Sequence, residues 1–220
     1  MPSGTEAHIG VYDLSERQHT QLLRRRNDLV SLLMYLTERR LFFSINHVFS
    51  SVTGKREAED FAWFQEYFPA VETRNSHMLE SANRQASQLA KRWNKIGIGG
   101  SDAHALPSAG TAYTEVPGAF NKEEFFAGLR SGMGRVAGES GSFKKLTRDV
   151  FVIAAEMMRE KSWTALLAPL GVLIPAITCL NYYQEKRFGR RWAEEILGES
   201  NARKYRRWIS VPQPAAEEFI

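Results

Sequence analysis

At 220 residues, 43% of them hydrophobic and 25% charged, the chain is long enough to close a sizeable core, which excludes a disordered chain and a miniature disulfide scaffold. Its single cysteine, Cys179, excludes an internal disulfide and a cysteine-rich zinc module, so any metal must be held by His, Asp and Glu. The net charge of +4 is mild, and its excess gathers late, in Lys186-Arg187, Arg190-Arg191, Arg203-Lys204 and Arg206-Arg207, so overall charge argues poorly for a nucleic-acid partner.

The opening Met1-Pro2-Ser3-Gly4-Thr5-Glu6 lacks a basic stretch followed by an apolar one, and the expectation is a protein that stays in the cytoplasm. Ile9-Gly10-Val11-Tyr12 reads as a strand. Ser15 then caps one long helix reaching about residue 40, with Leu22, Leu23, Leu29, Val30, Leu33 and Leu36 on its buried stripe. Arg24-Arg25-Arg26 reads as a solvated face of that helix, with contact to an anionic ligand as the alternative. A strand at 41–47 ends on His47 and precedes a helix over 57–67. A third strand over 70–74 precedes a helix from 79 to 93, and a short fourth strand, 96–98, runs into Gly99-Gly100-Ser101-Asp102-Ala103-His104. This alternation predicts βα units around a largely parallel sheet.

Three polar candidates fall near the C-terminal ends of successive strands: His47, Glu72 with Asn75, and Asp102 with His104. Parallel α/β folds assemble their active sites at that end. On an extended backbone, residues two apart point to the same side, so Asp102 and His104 are expected to converge on one ion. Glu72 and Asn75 read as pocket or ligand-orienting residues, with pairing of Glu72 to Arg74 as the structural alternative. Ser101 reads as a turn or ligand-orienting residue, while His19 and His77 read as exposed polar positions.

After a small-residue strand at 111–114 and the turn Val116-Pro117-Gly118, Asn121 with Glu124 resembles a capping box for a helix ending near Gly132. The βα rhythm stops after Val136. Residues 138–142 read as a flexible joint, dividing the chain into an α/β part, 1–138, and a helical part, 139–220, that opens with an amphipathic helix over 144–161. Residues 163–183 carry no charge, a length able to span a bilayer, with Trp163, Tyr182 and Tyr183 placed as interfacial anchors. Pro169 and Pro175 oppose a straight span, so membrane contact and a buried helical hairpin, against the domain or a second copy, both stay open. Cys179 reads as packing within this run, and 190–209 as a basic helix.

Read together, Ile45-Asn46-His47, Val71-Glu72-Thr73-Arg74-Asn75 and Gly100-Ser101-Asp102-Ala103-His104, followed by Gly110-Thr111-Ala112-Tyr113-Thr114, resemble the second half of a polymerase and histidinol phosphatase (PHP) domain over about residues 8–138. The resemblance implies a distorted βα barrel that binds two or three divalent ions, zinc, manganese or iron. It implies hydrolysis of a small phosphorylated substrate by a metal-bound hydroxide. Asp102 and His104 match the closing D-x-H of the family's metal site. His47 matches a ligand histidine that ends an earlier strand, and His8 stands where some members carry a ligand histidine before an apolar strand. Neutral imidazole and carboxylate donors suit such metals.

The family's opening H-x-H does not occur in this sequence; His8, His19, His47, His77 and His104 are too far apart to form one. Two readings follow. In one, the chain is part of a metal-dependent phosphoesterase whose remaining ligands lie in a longer product. In the other, it is a non-catalytic PHP remnant that acts through 163–209 as a membrane-associated or protein-binding module. A sheet without its first strands would also present an edge that favours homo-oligomers.

Overall fold

The computed structural model describes residues 5–198. A four-stranded sheet holds β1 (His8–Tyr12), β2 (Phe42–Asn46), β3 (Ala70–Asn75) and β4 (Ile96–Gly100) in chain order, with β2, β3 and β4 parallel. It is an open sheet of mixed α/β architecture, without barrel closure among the described residues. β1 departs from the parallel expectation and pairs antiparallel with β2, His8 opposite Asn46 and Tyr12 opposite Phe42.

The reason lies in the connection. The single long helix expected to about residue 40 is two helices, α1 (Glu16–Arg25) and α2 (Leu29–Glu38). Ser15 caps α1 in a reciprocal capping box with Gln18, and the extended Asp28 starts α2 by accepting a hydrogen bond from the Ser31 N–H at 3.1 Å. One helix would return the chain to the start of β1 and give a parallel neighbour. Two helices bring it back to the end where β1 stopped, so β2 runs the other way. Of the three arginines at the junction, Arg25 lies over the Tyr35 ring at 4.7 Å, while Arg24 and Arg26 face solvent.

Alternation along β2 separates two cores. Phe43 and Ile45 join Leu36, Phe64, Phe68, Val71 and Leu89 on one face, under α2, α3 (Ala58–Tyr67) and α4 (Glu80–Trp93). Phe42 turns to the other face with Ala70, Ile98, Val116 and Leu129. Fully burying one side chain such as Phe64 contributes about 1.5–3 kcal/mol.

β5 (Ala112–Glu115) and β6 (Arg135–Gly138) form a separate antiparallel pair around α5 (Lys122–Arg130). Asn121 caps α5, but Glu124 reaches back to the Phe120 N–H at 2.7 Å, one residue earlier than a capping box requires. The pair lies close against β4, where Gly99 donates to Thr114 Oγ1 at 2.7 Å. A Cβ on Gly99 would stand 2.7 Å from the Tyr113 carbonyl oxygen, so glycine permits that approach.

Residues 138–142 are held rather than free. Gly141 donates to the Met78 carbonyl at 2.7 Å and bridges Leu79, and Ser142 caps α6 (Phe143–Glu160). The uncharged run after α6 divides into a 3-10 segment, Ser162–Leu173, containing Pro169, and α7 (Ile174–Leu197), with Pro175 in its first turn. No helix among the described residues is long and apolar enough to cross a membrane. α7 docks its C-terminal half on the main core through Trp192 and Ile196, so the expected basic helix is here the end of a longer one. The remainder of that expectation, 199–209, lies outside the described residues. Cys179, read as packing, is exposed on α7.

Candidate metal-ligand rim and adjoining cleft

The C-terminal ends of β2, β3 and β4 form one rim. Because β1 is antiparallel, its first residue, His8, opposite Asn46, belongs to the same rim. His47 follows β2 directly and takes a left-handed backbone, φ 53°, while Asp102 follows β4 with φ 49°. Such conformations are uncommon outside glycine, though His and Asp tolerate them better than most residues. Strained residues of this kind gather at functional sites.

His47 is the centre of the rim and is buried. Its Nδ1 lies 2.7 Å from Glu72 Oε2, and its backbone N–H donates to the same oxygen at 3.1 Å. Asn75 Nδ2 donates to Glu72 Oε1 at 3.0 Å and lies 3.1 Å from His47 Nδ1. A proton on Nδ1 satisfies the carboxylate and leaves Nε2 facing outward, 3.6 Å from Asp102 Oδ2. This is the arrangement by which a carboxylate orients a metal-binding imidazole. Glu72 therefore serves His47 rather than Arg74, which instead reaches Glu80 at 3.4 Å and the Gly138 carbonyl at 3.1 Å. Burial pulls the His47 pKa down, but the hydrogen bond and charge of Glu72, with Asp102 behind, outweigh it and leave the net shift upward. The His8 ring meets His47 edge-on at 5.3 Å. Burial and then the neighbouring His47 lower the His8 pKa.

His104 does not join this group. Strand geometry stops at Gly100 and Asp102 is left-handed, so the same-side rule for residues two apart no longer applies. His104 is exposed; its Nδ1 contacts the Asp102 carbonyl at 2.9 Å, and its ring stands 5.9 Å from that of His77. His77, read as an exposed polar position, is nearly buried: Nδ1 lies 2.8 Å from the Ser101 carbonyl oxygen and Nε2 2.9 Å from Asp149 Oδ2. Ser101 acts through that carbonyl, which also accepts from Ser76 Oγ at 2.6 Å. Asp149, on the inner face of α6, further accepts from Ser108 Oγ and from Arg148 at 3.0 Å. Burial raises its pKa, but the bonds from Ser108, Arg148 and His77 prevail and lower it. Asp149 and Ser108 are absent from the sequence-based candidates, although a carboxylate aligned with Leu146, Val150 and Ile153 on an amphipathic helix is a readable signal.

Asp102, His104, His77 and Asp149 form one end of a cleft of about 480 Å³ whose walls come from α6 and α7, through Leu146, Val150, Ile153, Asn181, Tyr182 and Gln184. The cleft is of ligand size. The rim supplies donors of the right chemistry, but among the described residues no three His, Cys, Asp or Glu side chains are arranged to hold a metal ion. The donors therefore fit a divalent ion only in part, since a first coordination shell takes three or more protein ligands.

No curated protein and no solved structure matches the chain. A family model described as PHP-associated matches residues 80–133, which run from α4 through β4, the Asp102–His104 loop, β5 and α5 to Met133. Over that stretch, about a quarter of the chain, the sequence is similar to PHP-associated sequences.

Proposed function

We propose that this chain contributes to a metal-dependent phosphoesterase of the PHP type, with His47, Asp102 and His8 as donors and Glu72 as the residue that orients His47. The distorted barrel of that family would need further strands beside the open sheet, and the metal site further ligands beside the rim. The observation that carries the reading is the meeting of His47 Nε2 and Asp102 Oδ2, 3.6 Å apart, on two left-handed residues just past the ends of β2 and β4, which flank β3. A divalent zinc, manganese or iron ion there would lower the pKa of water to make the nucleophile. The residues of the chain itself bind and orient. Glu72 fixes the imidazole tautomer, the His77–Ser101 hydrogen bond fixes the loop before Asp102, and the cleft along α6 and α7 receives the alcohol portion of a small phosphoester. His104, exposed at the mouth of that cleft, faces the substrate or an additional ion.

The test is phosphatase turnover of an aryl phosphate by the full chain with added zinc or manganese, alongside calorimetric titration with each metal. His47→Ala and Asp102→Ala should each abolish turnover and weaken metal binding at least tenfold, while His19→Ala, on the exposed face of α1, changes neither. Turnover unaffected by both substitutions refutes the assigned site. Metal-independent folding with neither turnover nor metal uptake favours the second reading, a non-catalytic PHP scaffold.

A further inference from the structure

Between α6 and the C-terminal half of α7, the chain exposes a run of large apolar side chains that the phosphoesterase reading does not use. The 3-10 segment packs on α6 and α7, leaving its own apolar side chains outward: Leu166 is 83% exposed and Val172 79%, with Trp163 and Leu170 beside them. The surface extends onto α6, where Phe151 is exposed and lies 3.9 Å from the Cβ position of Gly171. It also extends onto α7 through Ile177, Leu180 and Tyr183.

Charge then changes abruptly along α7. Its inner face turns Gly189, Trp192 and Ile196 into the core, while Lys186, Arg187 and Arg190 are exposed. At a rise of about 1.5 Å per residue, this basic collar stands within about 10 Å of Tyr183. The nearest carboxylate, Glu185, is turned inward and accepts from the Ser51 N–H at 3.0 Å, so it does not cancel the collar. At the other end of the run, Glu160 is flanked by Arg159 and Lys161.

We propose that this surface docks on an anionic lipid bilayer, lying in its interface with Leu166, Val172 and Trp163 inserted and the α7 collar on the headgroups. An apolar tip edged by Trp and Tyr, with basic residues one or two turns behind it, suits an interface where hydrocarbon gives way to anionic headgroups. Pairing of two copies through the same face would offer the basic collar no surface of opposite charge, whereas anionic headgroups do. Pro169 and the change of helix type at Ile174 break the run into short pieces, which suits lying on a surface rather than spanning it.

The experiment is sedimentation of the full chain with vesicles of phosphatidylcholine alone, or with about a third phosphatidylserine, at low and high salt, with light scattering of the same samples without lipid. Association is expected on the anionic vesicles and should fall steeply with salt. Replacing Lys186, Arg187 and Arg190 together by Gln should weaken it about a hundredfold, from about fivefold per basic residue. The exposed pair Leu166→Glu and Val172→Glu should weaken it at least tenfold with an unchanged thermal midpoint. Failure to sediment with anionic vesicles, or sedimentation unaffected by the Leu166 and Val172 pair, overturns the proposal. A dimer that this pair splits into monomers, without vesicle binding, assigns the surface to a second copy and overturns it equally.

Discussion

Asp149→Ala is the substitution through which the C-terminal helices and the rim can be tested together. Asp149 is 2% exposed and accepts from Ser108, itself fully buried, and from His77, whose side chain is 11% exposed. Alanine leaves both donors without an acceptor. Each buried group left unpaired costs about 1–3 kcal/mol, which places the loss at about 2–6 kcal/mol. The Arg148 pair adds little, because that guanidinium is 53% exposed and screened by solvent. At about 2–4 °C per kcal/mol for a chain of this size, the thermal midpoint should fall by about 10 °C. The pKa of Asp149 is depressed, so its contribution is present above the unfolded-state value and is lost as pH falls through the folded one. Urea unfolding of wild type and variant should therefore show a gap that is widest near neutrality and closes on acidification below the ordinary carboxylate range. A gap under about 0.5 kcal/mol at pH 7, within the scatter of neutral surface changes, or one that persists in acid, would refute the reasoning.

Glu72→Gln removes the partner that holds the His47 pKa up against burial, so the His47 titration, read by NMR on metal-free protein, should move down from its wild-type position; an unmoved titration contradicts the assigned tautomer. A raised histidine pKa stabilises fully below its unfolded value and loses that effect as pH rises through the folded one, so the stability difference between Glu72→Gln and wild type should shrink with rising pH. Gly138→Ala places a Cβ at φ 115°, 2.3 Å from the Thr111 carbonyl oxygen, and should cost at least about 1–3 kcal/mol in urea unfolding; an unchanged midpoint would show that the β5–β6 junction yields. Trp192→Ala empties the site where α7 stacks on Phe61 at 5.4 Å and should cost about 3–5 kcal/mol, a loss absent if α7 is only loosely attached.

The strand and helix pattern was legible because apolar alternation and capping residues act locally. β2, β3 and β4 and helices α3 to α6 lie where that pattern puts them, within a residue or two. The direction of β1 was not legible without the break at Asp28, a local cap whose consequence is global: splitting one helix reverses a strand and brings His8 to the rim. The convergence of His47 with Asp102 was likewise readable from their places at strand ends. The departure of His104 depends on a left-handed Asp102, which no spacing rule encodes. The burial of His77 was not legible, because it comes from α6, about seventy residues later in the chain. The apolar run at 163–183 resembled a span in composition, while its prolines decided how it divides.

The left-handed backbones of His47 and Asp102 carry an argument about the chain as a whole. Each costs of order 1–3 kcal/mol and persists only where neighbouring contacts over-determine it. For His47 those contacts come from β3: Glu72 binds both its ring and its N–H, and Asn75 braces Glu72. For Asp102 the hold comes from the preceding residue, whose carbonyl is fastened by Ser76 and by His77, and His77 is in turn fastened by Asp149 on α6. The α/β part therefore supplies the candidate ligands, but the helical part holds one of them in place. A chain ending at Gly138 would keep His8, His47 and Asp102 and lose the anchor of the loop, so the distance between His47 and Asp102, and any metal affinity built on it, depends on α6 being present.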